Sequence, residues 1–79
     1  MSQEIKSRIV KDIASFYKNL SALKPKYLNG EYKKIVELAE MYAKDSQSYF
    51  EKGDFVTAFS CISYAHGLLD AVRRFGGYD

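Results

Sequence analysis

Seventy-nine residues, 47% hydrophobic and 28% charged, suffice for one packed domain and leave too little chain for a second core; that balance excludes intrinsic disorder. Twelve basic against ten acidic residues give a net charge of +2, without the concentrated excess of a dedicated nucleic-acid binder. One cysteine excludes an internal disulfide, no uninterrupted apolar run approaches the about 18 residues of a membrane span, and Met1-Ser2-Gln3-Glu4-Ile5-Lys6 holds no apolar signal region, so the expected setting is cytoplasmic and reducing, away from membranes, with Cys61 a free thiol.

The first predicted helix covers residues 2–23, with Ser2 as its N-cap. Ile5, Ile9, Ile13, Phe16, Leu20 and Leu23 recur at spacings of four and three, which stacks them on one face. Val10 and Tyr17 widen that face, while Lys11, Ser15, Lys18 and Ala22 lie opposite, towards water. Glu4, Arg8 and Asp12 are four apart and can pair. Pro25 ends the helix, because it disfavours a helical Lys24 and has no amide hydrogen.

Lys24-Pro25-Lys26-Tyr27-Leu28-Asn29-Gly30 is expected as a loop with Asn29-Gly30 its turn signal. A second helix follows over residues 31–52. Its expected buried face is Ile35, Leu38, Ala39, Tyr42, Ala43, Ser46, Tyr49 and Phe50, and its wet face carries Lys33, Glu37, Glu40, Lys44, Gln47, Ser48 and Glu51. Gly53 suits a left-handed C-cap and Asp54 an immediate N-cap, so the second and third helices should form a tight antiparallel hairpin.

The third helix is expected over residues 55–75, stopped by Gly76-Gly77, with Arg73 and Arg74 placed well against its C-terminal dipole. Phe55, Ala58, Phe59, Ile62, Ala65, Leu69 and Val72 form one apolar stripe, and Cys61, Tyr64, Leu68, Ala71 and Phe75 a second beside it. An arc that wide predicts packing on both other helices at once. No stretch alternates with the period of a strand, so the fold class is all-α, an antiparallel three-helix bundle in one domain over residues 1–79.

At Gly53-Asp54-Phe55-Val56-Thr57-Ala58-Phe59, followed by Ser63-Tyr64-Ala65-His66-Gly67-Leu68-Leu69-Asp70-Ala71, the chain resembles a family of small archaeal proteins known only as a domain of unknown function. The resemblance covers roughly residues 31–76, and the first helix only by length and pattern. It implies a compact three-helix bundle, and it implies no activity and no catalytic residues. A looser likeness is to helical nucleotide-binding and ribonuclease domains of prokaryotic toxin systems. The arginine that those ribonucleases place shortly before their histidine is absent here, since Arg73 and Arg74 follow His66.

Side chains that can carry chemistry are few. His66 is a candidate ligand contact with Asp70, one turn further on. The plainer expectation is a half-buried ring with one hydrogen-bond partner. One His, one Cys and scattered carboxylates match no metal-ligand spacing, and Cys61 lies on an apolar stripe with nothing basic a turn away to activate it. No catalytic residue, metal or cofactor is therefore assigned. The exposed strip of helix three supplies candidate interface residues, Ser60, Ser63, Tyr64, Gly67, Ala71 and Arg74, for a protein partner or a second copy. Glycine in mid-helix costs about 1 kcal/mol against alanine, so Gly67 is expected to mark a close approach, either to another helix of the bundle or to a second subunit, and Gly67→Ala to destabilise. Lys24, Lys26 and Lys33 form a loose basic cluster, the candidate contact for RNA or a nucleotide in the less favoured reading. The favoured one is a non-catalytic interaction or assembly module.

Overall fold

The computed structural model describes residues 3–75, of Phe75 the backbone only. The expected Ser2 cap, the Gly76-Gly77 stop and the Phe75 side chain's place in the second stripe lie outside the described residues. Three helices account for nearly all of the rest: α1 (Gln3–Ser21), α2 (Gly30–Glu51) and α3 (Phe55–Phe75), with a four-residue 3-10 turn, Pro25–Leu28, between the first two. Among the described residues there is no strand. The body measures 39 × 18 × 16 Å, and α3 packs along α2 and then α1, while α1 and α2 touch little. The fold is an all-α three-helix bundle.

The joint between α2 and α3 shows why the hairpin is tight. Gly53 adopts φ +85°, a left-handed value that is strained for any residue with a Cβ. The Gly53 amide donates to the Phe50 carbonyl at 3.0 Å and the Asp54 amide to the Tyr49 carbonyl at 2.9 Å, the paired bonds that close a helix end in the Schellman arrangement. Asp54 then starts α3 at once, its Oδ1 accepting from the Thr57 amide at 3.1 Å. The Thr57 hydrogen bonds, side chain first and backbone second, hold the Asp54 carboxyl below the usual carboxylate value.

Small residues set the distance between α2 and α3. Ala39, Ala43 and Ser46 on α2 are fully buried, as are Ala58, Ile62 and Ala65 on α3. Side chains this short allow two backbones to approach, and the Ser46 hydroxyl donates to the Ala58 carbonyl at 2.6 Å across the contact. Phe16 and Ile9 enter from α1 with no exposed surface. α1 runs parallel to α3: the Lys6 ammonium lies over the Phe55 ring at 5.0 Å and the Arg8 guanidinium over Phe59 at 5.8 Å. Arg8 also pairs with Asp12 at 3.1 Å, as their spacing led one to expect.

Four expectations need correction. Tyr27, placed in a plain loop, is 3% exposed; Pro25 starts the 3-10 turn, which folds Tyr27 under one end of the bundle against Val36, Val72, Leu20 and Leu23. Val36 is buried although it was left off the buried face, and Leu38, counted on that face, is 37% exposed. Val10 is 53% exposed instead of widening the face of α1. Helix ends move by one or two residues, α1 closing at Ser21 and α2 opening at Gly30.

Candidate functional site: the uncovered side of the α2–α3 hairpin

A helical hairpin has two grooves, and a single further helix fills one of them. Here α1 fills one. The first stripe of α3 supplies that core, with Ala58, Ile62, Ala65, Leu69 and Val72 all buried. The second stripe faces the other groove, where none of the described residues lies over it. Cys61, Leu68 and Ala71 are half-buried and Tyr64 is 50% exposed. Across the groove stands Tyr42, whose ring meets Tyr64 edge to face at 4.6 Å. Leu38, one turn back along α2, extends this apolar surface, and Met41, 54% exposed, borders it from the outer side of the helix.

Of the interface residues expected on α3, Tyr64 and Ala71 lie on this side and Ser60 and Gly67 adjoin them, while Ser63 and Arg74 stand further round the outer face of the helix. Ser60, Ser63, Gly67 and Arg74 are exposed. Ser60 bonds back to its own helix, donating to the Val56 carbonyl at 3.1 Å, and Arg74 lies 3.9 Å from Asp70. A Cβ built on Gly67 would meet nothing within 4 Å. Of the two close approaches expected, the one to another helix of the same bundle is therefore ruled out: alanines and Ser46 perform that task, and Gly67 borders open space. Met41 and Leu38 belong to the patch and were missed as surface residues. The signal was present in Leu38-Ala39, because small Ala39 is the residue that the close α3 contact requires.

His66 sits on the covered side. Its Nε2 donates to the main-chain carbonyl of Asp12 at 2.7 Å, which fixes that nitrogen as the protonated one when the ring is neutral. The ring also meets Phe16 edge to face at 5.8 Å. Asp70 is exposed, and among the described residues no hydrogen bond or ion pair joins it to His66. Burial, and secondarily the charges of Asp45 and Asp54, pushes the Cys61 thiol above its usual value, which disfavours the reactive thiolate. Among the described residues no group of three His, Cys, Asp or Glu side chains comes together around a metal-sized space.

The candidate nucleic-acid contacts Lys24, Lys26 and Lys33 are all exposed. The Lys26 ammonium rests over the Tyr27 ring at 5.1 Å. Lys33 lines a groove of about 440 Å³ floored by Leu20, Leu23, Leu28 and Val36, and Glu37 and Glu40 line the same groove. Burial, aided by the Glu40 charge, also raises the pKa of the Tyr17 phenol.

These features define a class: a three-helix bundle with one apolar hairpin groove filled by its own chain and the other left open. Residues 10–78 match the family described as "Protein of unknown function (DUF357)", and the chain belongs to that family. No curated protein matches it. By length and composition Phe55–Arg74 is also long and apolar enough to cross a membrane, a property that a search for uninterrupted apolar runs passes over; within the fold, its first stripe forms the bundle core.

Proposed function

We propose that this protein is a non-catalytic interaction module of the cytoplasm, and that the open side of the α2–α3 hairpin is its working surface. One observation carries the reading: α3 is the most apolar helix of the chain, and its second stripe stays uncovered, with Tyr64 50% exposed and Cys61, Leu68 and Ala71 only half-buried. A contiguous exposed apolar patch marks a contact surface, and Tyr42, Tyr64 and Met41 are residue types enriched at the cores of such surfaces. The non-catalytic part draws support from His66, whose Nε2 is taken up by a main-chain carbonyl on the covered side.

RNA or nucleotide binding through Lys24, Lys26 and Lys33 has less behind it, because Glu37 and Glu40 line the groove that holds Lys33 and would repel phosphate. A photocrosslinking residue placed at Tyr64, with Lys11 on the wet face of α1 as control, tests the reading in cells. The expected result is a discrete protein adduct from position 64, absent from position 11 and lost when Met41→Asp is added. Equal labelling at both positions overturns the reading, and a predominant RNA adduct transfers support to the basic cluster.

A further inference from the structure

We propose that the partner on this face is a second copy of the chain, bound as a two-fold symmetric dimer in which α2 runs antiparallel to its counterpart. The proposal rests on the contact-surface reading above and names its occupant. The argument begins with four exposed residues of α2. Lys34, Leu38, Met41 and Asp45 follow one another at spacings of four, three and four, so they share one side of the helix, and that spacing is the same in both directions. All four are exposed.

A two-fold axis between Leu38 and Met41 therefore brings complementary groups together without adjustment. Leu38 of one copy meets Met41 of the other, and each Lys34 meets the opposite Asp45, all four contacts generated by one operation. The run spans about 16 Å at 1.5 Å per residue, well within the 39 Å length of the body. Alignment in the parallel sense would set lysine on lysine and aspartate on aspartate, which is penalised across an interface. Both charges are available for such a pairing. Lys34 reaches only Glu31, at 3.9 Å with both side chains largely exposed, and Asp45 has no ion-pair partner among the described residues.

The surroundings fit the same axis. Tyr42 stands one turn from Leu38, and its edge contact with Tyr64 carries the apolar surface from α2 onto α3, where Leu68 continues it. Stable interfaces bury about 800 Å² per partner, and one long face of a body measuring 39 × 18 Å is of that order.

Sedimentation equilibrium of the full chain across micromolar to millimolar concentrations tests this, with Lys34→Asp, Asp45→Lys and the double variant compared against the unaltered protein. Helix content by circular dichroism confirms that these exposed substitutions leave the fold intact. A concentration-dependent dimer is expected for the unaltered chain. Either single swap should weaken it by about tenfold or more, since like charges then face each other, and the double swap should restore it. A chain that stays monomeric throughout overturns the proposal; if position 64 still crosslinks to a different protein, the contact-surface reading stands alone. A dimer indifferent to the swaps, or one that the double swap fails to restore, overturns it as well.

Discussion

The two sides of the α2–α3 hairpin are built from similar residues and end in opposite states. On the side that α1 covers, Ile9, Phe16 and Ile62 have no exposed surface and Leu69 has 2%. On the other, Leu38 is 37% exposed, Tyr64 50% and Met41 54%. Hydrophobicity does not separate the two sets. What separates them is whether a further helix lies over the groove, and a chain with three helices can cover only one groove of its hairpin. The apolar width of α3 therefore exceeds what its own fold consumes, and the excess is directed to one place.

The strongest way to break this comparison is to truncate one aromatic on each side. Phe16→Ala removes a ring with no exposed surface, a change that costs about 3–5 kcal/mol in a protein class whose total stability is about 5–15 kcal/mol. Tyr64→Ala loses its edge contact with Tyr42 and should cost no more than about 1.5 kcal/mol. Urea denaturation at low protein concentration measures both. Comparable losses would mean that the open side is as integral to the monomer as the covered one.

The next test concerns the spacing between α2 and α3. Ala43 is fully buried and belongs to the core cluster with Phe16, Ile62, Ala65 and Leu69. Ala43→Leu forces three more heavy atoms into that contact and should destabilise by about 1–3 kcal/mol. Met41→Leu, two residues away and 54% exposed, should be nearly neutral for the monomer. Thermal unfolding of the pair sharpens the contrast, and a tolerated Ala43→Leu would show that the two helices are not held close.

How far the sequence revealed these states depends on which signal each residue carried. Start and stop chemistry was plain: Gly53-Asp54 forms the joint that its residue types call for, and the first stripe of α3 is the buried one. The core side of α2 was harder, because apolar and small residues wrap around it. The expected face held Ala39, Ala43 and Ser46, which the fold buries, but it also took in Leu38 for its size, which stands outside, and passed over Val36, which is drawn in beside Tyr27. Tyr27 was missed because a proline-opened turn gives no periodicity from which burial can be read. For Gly67 the sequence left a helix of the bundle and a second subunit as alternatives for a related reason: a glycine in mid-helix signals the absence of a side chain and says nothing of what lies across from it.

Acid should weaken the joint that holds the two sides in register. The Thr57 hydrogen bonds keep the Asp54 carboxyl below its ordinary value in the folded chain, so the folded state holds that proton less tightly than the unfolded one. The cap's contribution is then fully present above the ordinary carboxylate value of about 4 and is lost as pH falls through the lower folded value. Asp54→Ala should lower the melting temperature at pH 7, and the gap from the unaltered protein should narrow steadily below pH 4. A gap that stays constant into strong acid would show that the carboxylate charge contributes nothing to starting α3.

The smallest expected effect has the most informative sign. Gly67 lies in the interior of α3 with nothing within 4 Å of where its Cβ would stand, and its φ is not in the left-handed range. Alanine there faces no clash in the monomer and gains helix propensity while restricting the unfolded chain, so Gly67→Ala should stabilise by up to about 1 kcal/mol. Thermal unfolding at two protein concentrations reads the outcome. A gain at both means that the glycine borders solvent in every state. A gain when dilute that vanishes when concentrated means that a second copy passes over Gly67, bringing the dimer contact from α2 onto α3. A loss at both would require a neighbour within the chain itself, and the two sides of the hairpin would then be more alike than the open groove allows.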